Sequence, residues 1–113
     1  MNYQVRISAN AEAEIDANVD WWSQNRSAEQ AYRWYVDVFD AIYALAVQPT
    51  RCGRARENKS FSYELRSRQF GLGSHPSHRI LSTIMDDVVV VLSVRNVAQA
   101  DVSEQGLPTP GDV

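Results

Sequence analysis

Residues 3–8, YQVRIS, alternate between apolar and polar positions and are rich in β-branched side chains, a period of two that predicts a first strand. Ser8 stands where a helix N-cap belongs, with Glu12 and Glu14 near the positive end of the helix it would open. Ala11, Ile15, Val19 and Trp22 then recur at helical spacing and predict one apolar face. NRS at 25–27 interrupts this pattern, and Ser27 followed by Gln30 has the form of a capping box that starts a second helix. There Ala31, Tyr35, Val38, Phe39, Ile42, Leu45 and Ala46 line one stripe, ended by Pro49. Helices joined by so short a turn are expected to lie antiparallel as a hairpin.

TRCGRARENKS, residues 50–60, is polar, basic and without period, so it reads as a loop. Strands are expected at about 61–70, 78–85 and 88–95, with Asp86-Asp87 as the tight turn between the last two. VVVVLSVR is apolar on both faces, as a central strand would be. From Asp101 the chain is acidic and rich in Pro and Gly, and a loosely held tail is expected there, following a single domain over residues 1–100. The order β-α-α-β-β-β predicts an α+β fold with the helical hairpin packed on one face of an antiparallel sheet, burying both stripes and the VVVV strand together.

At 113 residues the chain suffices for one core but not two. Its hydrophobic content of 44% and charged content of 22% are ordinary globular values and point to no partner. No run of about 18 apolar residues would span a bilayer, and the start lacks the order of a secretory signal, so no membrane partner and a cytoplasmic location are expected. Cys52 is the only cysteine, which leaves neither an intrachain disulfide nor a Cys-based zinc site. The net charge of −3 hides a local signal. Residues 1–50 balance to −4 and residues 80–113 to −4, while residues 51–79, with Arg51, Arg54, Arg56, Lys59, Arg66, Arg68 and Arg79 against Glu57 and Glu64, balance to +5. A basic patch of this kind attracts phosphate or an acidic peptide even on an acidic protein.

The element order, with VRISANAEAEIDANVDWW, AYRWYVDVFDAIYALAVQP, YELRSRQFGLGSHPSHRIL and VVVVLSVRNVAQAD in sequence, resembles the RelE/ParE superfamily of type II toxin–antitoxin toxins over nearly the whole chain to about residue 101. The resemblance implies a growth-inhibiting, plasmid-stabilisation type of toxin held silent by a cognate antitoxin, itself acidic and partly disordered. Some members of the superfamily cut messenger RNA on the ribosome and ParE-type members poison DNA gyrase, and fold alone does not decide between them. A non-toxic interaction module on the same fold is a third reading. The oligomeric state stays open, a homodimer included.

Strand alternation puts Arg66 and Arg68 on one face, and the more apolar set Tyr63, Leu65, Ser67 and Gln69 is expected to pack toward the helices, leaving the arginines outward. If register brings Arg66 or Arg68 together with Arg79 and Arg95, a cationic cluster results. It would stabilise a phosphate or grip a target, with Asn96 adding a hydrogen bond. In the ribonuclease reading Arg79 and Arg95 act with His78, since histidine alone titrates near neutrality unperturbed. Such an enzyme would be metal-independent. His75 and His78 lack a third ligand at metal spacing, and no metal or other cofactor is expected. RNA-cutting members often carry a tyrosine or histidine near the C-terminus, and relatives with this type of hairpin tend to have histidine where this chain has Asn96. The residues after Arg95, NVAQADVSEQGLPTPGDV, include neither type. An asparagine exchanges no proton near pH 7, so the gyrase-directed reading is favoured.

Overall fold

The expected order is realised in a computed structural model that describes residues 2–113: β1 (Gln4–Ile7), α1 (Ala9–Asn25), α2 (Ala28–Ala44), β2 (Arg66–Phe70), β3 (His78–Met85) and β4 (Val88–Asn96). Both helix starts follow from their caps. Ser8 Oγ accepts the Ala11 N–H at 3.0 Å and Ser27 Oγ accepts the Gln30 N–H at 3.1 Å. Ser8 also donates to the Leu92 carbonyl at 3.2 Å, which ties the start of α1 to β4.

The sheet order is β1-β4-β3-β2. β2, β3 and β4 form the antiparallel meander, while β1 joins β4 in parallel, across a long connection that contains the helical hairpin, β2 and β3. The VVVV segment is therefore central, flanked on both sides and buried on both faces. Asp86 turns the chain between β3 and β4 with φ of 55°, a left-handed conformation that Asp tolerates better than most residues. In the β3–β4 register Leu81 faces Ser93 and Ser82 faces Val91, which leaves Leu92 as a bulge residue.

Ile15, Trp34, Val38, Ile42 and Leu45 from the helices meet Phe70, Ile80, Val89, Val91 and Val94 from the sheet in the main core. Burying Val38, Ile42 and Leu45 contributes roughly 1.5–3 kcal/mol each. The stripe on α2 is rotated from the expected one: Trp34 and Ala41 face the core, whereas Tyr35 is exposed and stacks along the outer flank with Phe39 and Tyr43. α2 stops at Ala44, and Pro49 begins a separate 3-10 turn, Pro49–Arg51.

The second face of the sheet is not open. Ala55, Leu65, Leu81, Val90, Leu92 and Leu107 form a smaller core there, with Phe61, Tyr63, Val102 and Val113 packed against it. Two expectations are thereby corrected. Residues 61–65 are not strand but a bent segment covering this face, so β2 begins at Arg66. The tail is not loosely held, because Leu107 is 8% exposed and Val102 and Val113 pack beside it.

Candidate functional site

Phe70 sets the orientation of β2. It packs on Trp34 with ring centroids 5.8 Å apart and on His78 at 5.6 Å, both on the helix side of the sheet. Arg68 and Arg66, two and four residues earlier, share that side by strand alternation, and Arg68 stands opposite Ile80 of the main core. The expectation that these arginines point away from the helices is reversed. Leu65 does bury, as its hydrophobicity requires, but in the second core. An apolar strand face identifies the helix side only when the other face meets water, and here both faces are covered.

Arg79 and Arg95 stand opposite each other in the β3–β4 register, on the face of Leu81, so they lie across the sheet from Arg66 and Arg68. The expected convergence of Arg66 or Arg68 with Arg79 and Arg95 on one sheet surface does not occur; Arg68 and Arg79 meet only around the edge of β2. Arg79 is 2% exposed and donates from Nη1 and Nη2 to Glu57 Oε1 and Oε2 at 2.7 and 2.5 Å. Burial pushes the Glu57 carboxyl up, but the Arg79 hydrogen bonds and charge, with the Val102 N–H, outweigh it and bring the pKa down to about 2. Arg95 donates to the Ala100 carbonyl at 3.3 Å. Arg66 is held by the Cys52 carbonyl at 2.8 Å and by Glu64 at 2.5 Å.

His78 occupies a third place. It is 5% exposed, on the helix side, between Trp34 and Phe70. Trp34 Nε1–H donates to His78 Nδ1 at 3.4 Å and Ser77 Oγ lies 2.8 Å from the same nitrogen, so Nδ1 is the acceptor and Nε2–H donates to Asn18 Oδ1 at 2.9 Å. That pattern fixes a neutral imidazole, and burial lowers its pKa below the ordinary value. The His78 ring therefore cannot reach the Arg79–Arg95 face, and the Arg79, Arg95 and His78 constellation expected of a ribonuclease is dissolved. Asn96, opposite His78 in register, lines a separate cleft of about 410 Å³ with Asn18, Trp21, Trp22, Ser77 and His78. His75 is exposed in the loop before β3. Among the described residues no group of three His, Cys, Asp or Glu side chains is placed to hold a metal ion.

The arginines that do come together lie around the outer edge of β2. The loop after α2 folds back along this edge: the Ser67 N–H donates to the Gly53 carbonyl at 3.0 Å and the Ala55 N–H to the Leu65 carbonyl at 2.8 Å. A cleft of about 810 Å³ results, lined by Arg51, Arg54, Arg56, Arg68 and Arg79 with Cys52, Gly53, Ser67 and Gln69, and with no carboxylate in its wall. Arg54 pairs with Glu64 at 3.2 Å and Arg56 with Asp101 at 2.5 Å, both at the surface. Arg51 and Arg68 form no carboxylate pair among the described residues. The Cys52 thiol is pushed up by burial and so stays protonated at neutral pH. This cleft can bind anionic groups through several guanidinium forks, yet its wall carries no group that exchanges protons near neutrality. Arg51, Arg54 and Arg56 were legible in the sequence only as charge in a loop, and Glu57, which neutralises Arg79, only as one of two acids among seven basic residues.

Small α+β domains with a helical hairpin over a four-stranded sheet are found in solved toxin–antitoxin structures. A chain of the chromosomal ParDE toxin–antitoxin system from P. aeruginosa superposes with a TM-score of 0.67 at 16% identity, over 84% of this chain and 96% of that one. A chain of the RelBE2 toxin–antitoxin complex from Mycobacterium tuberculosis gives a TM-score of 0.58 at 20% identity, over 85% of this chain and 99% of that one. At such identities the likeness establishes the fold. No curated protein sequence matches the chain. Residues 5–100 match the family described as the ParE toxin of the type II toxin-antitoxin system, parDE, and the chain belongs to that family.

Proposed function

We propose that this toxin arrests growth by binding its target, DNA gyrase, rather than by cutting RNA, and that a cognate antitoxin with an acidic, partly disordered segment silences it in the cytoplasm. The toxin domain is residues 1–100, with 101–113 an appended tail. The observation that carries the binding reading is the separation of the groups a nuclease would need: Arg79 is locked to Glu57, His78 is neutral and buried on the opposite side, and the arginine-lined cleft has no proton donor or acceptor for neutral pH. Charge complementarity supports the antitoxin reading, because residues 51–79 collect a +5 balance around that cleft on an acidic protein.

The test is expression with and without the adjacent reading frame. Gyrase poisoning predicts growth arrest with double-strand DNA breaks and altered supercoiling while transcripts stay intact. Ribosome-dependent cleavage of messenger with undamaged DNA would overturn the reading, and absence of arrest would identify an interaction module.

A further inference from the structure

One cleft takes no part in the reading above. It measures about 410 Å³ and opens where the second half of α1 passes the start of β3 and the end of β4, between Trp21 and Trp22 on one side and Ser77 and Asn96 on the other. That volume lies within the roughly 300–1,000 Å³ of pockets that take small organic ligands. The Asn18–His78 hydrogen bond, 2.9 Å long, joins the two sides and holds their spacing.

Successive side chains on a helix point about 100° apart, so two adjacent indoles cannot share one core. Trp22 packs against the main core and Trp21 is left 48% exposed. Their rings stand at 89° to each other with centroids 5.5 Å apart, which makes an aromatic corner at the cleft. One turn further on, the Arg26 guanidinium lies over the Trp21 ring, 5.6 Å from its centroid, and it has no carboxylate partner among the described residues.

The polar groups of the cleft offer donors rather than acceptors. Asn18 Oδ1 accepts from His78 Nε2–H, and Asn96 Oδ1 accepts from the Ala98 N–H at 2.9 Å, so both amide oxygens are engaged. Asn18 Nδ2 gives one hydrogen to the Glu14 carbonyl at 2.8 Å. Its other hydrogen, the pair on Asn96 Nδ2 and both indole N–H groups have no acceptor among the described residues. His78 is neutral, so the interior carries no charge, and the one cation stands at the rim. A ligand that answers all of this is a planar heteroaromatic ring with acceptor atoms on its edge and an anionic group attached. A bare phosphate or an apolar ring answers only part of it.

We propose that this cleft is a purine nucleotide site, in which the base lies in the Trp21–Trp22 corner with its ring nitrogens toward Asn18 and Asn96 Nδ2, and the phosphate meets Arg26. It is separate from the arginine-lined cleft at the β2 edge and independent of the target and antitoxin readings. Because the occupant touches α1 and the strand ends together, it also stabilises the folded chain by mass action.

The test titrates the full chain with AMP, adenosine and ribose 5-phosphate, following tryptophan emission and the indole and amide N–H shifts by NMR. AMP is expected to quench emission saturably, to shift the Trp21 indole and Asn96 side-chain signals, and to raise the thermal midpoint. Adenosine binds about tenfold more weakly for want of the Arg26 contact, and ribose 5-phosphate leaves the indole signals unmoved. Trp21→Ala and Asn96→Ala, both at exposed positions, are expected to weaken AMP at least about tenfold with the circular dichroism spectrum unchanged. Arg26→Ala is expected to bring AMP to the affinity of adenosine without changing adenosine itself. A free mononucleotide and a nucleotide within a strand present the same chemistry, and a short oligodeoxyadenylate distinguishes them. Binding that is tighter than that of AMP and lost in the same variants assigns the strand, and equal or weaker binding assigns the free nucleotide. No saturable binding of either ligand overturns the site. So does equal binding of ribose 5-phosphate, or shifts confined to Arg51 and Arg68, which place the phosphate at the β2 edge instead.

Discussion

Removing either member of the Arg79–Glu57 pair leaves the other charge buried alone. Arg79→Ala is therefore expected to cost about 3–5 kcal/mol in urea unfolding, whereas Arg79→Met combined with Glu57→Leu costs much less. The pair also sets an acid limit. Glu57 titrates at about 2 in the folded protein against 4.5 ordinarily, so its contribution, on the order of 3 kcal/mol, is complete above pH 4.5 and is lost as pH falls toward 2. In Glu57→Gln this part of the stability–pH profile should flatten, which acid titration by circular dichroism checks. His78 adds a second limb at higher pH. Its folded pKa lies below the usual 6.5, so the unfolded chain takes up the proton first, and stability declines once pH drops below about 6.5. Imidazole nitrogen shifts in NMR should show the Nε2–H tautomer at pH 7 and a depressed midpoint.

At the scale of elements, Ser8 does two things, accepting from Ala11 and donating to Leu92. Ser8→Ala is expected to lower stability by about 1–2 kcal/mol, seen as a lower thermal midpoint. Asp86, with φ of 55°, predicts that Asp86→Val costs about 1–2 kcal/mol while Asp86→Gly is near neutral, comparable by urea unfolding of the two variants. Both helix caps and the α1 stripe were legible because caps and helical periodicity are local properties. On α2 the stripe was misplaced by about one position. Aromatic residues occur on two adjacent flanks, and only the packing of Trp34 on Phe70 and His78 selects which flank turns inward. The length of β2 was overestimated for a related reason: Phe61, Tyr63 and Leu65 alternate like a strand but find their burial beneath a bent segment.

At the scale of the whole molecule, charge is divided between an acidic helical layer and a basic sheet edge, and the basic edge is the expected contact for an acidic partner. Reversing Arg51→Glu and Arg68→Glu should weaken antitoxin binding at least about tenfold, mainly through a slower association rate with a reduced salt dependence. Titration calorimetry and stopped-flow at two salt concentrations check this. The sequence by itself determined the element order, the helix starts, the central VVVV strand and the concentration of positive charge in residues 51–79, because each follows from neighbouring residues or from composition. Only the tertiary structure decided which face each arginine takes, that Glu57 neutralises Arg79, that His78 is withdrawn into the helix-side core, and that the tail closes the second face of the sheet. Those outcomes depend on whether one or both sheet faces are covered. That is settled by contacts between segments 20 to 60 residues apart, such as Glu57 with Arg79 at a separation of 22 and Arg56 with Asp101 at 45, which no local pattern encodes.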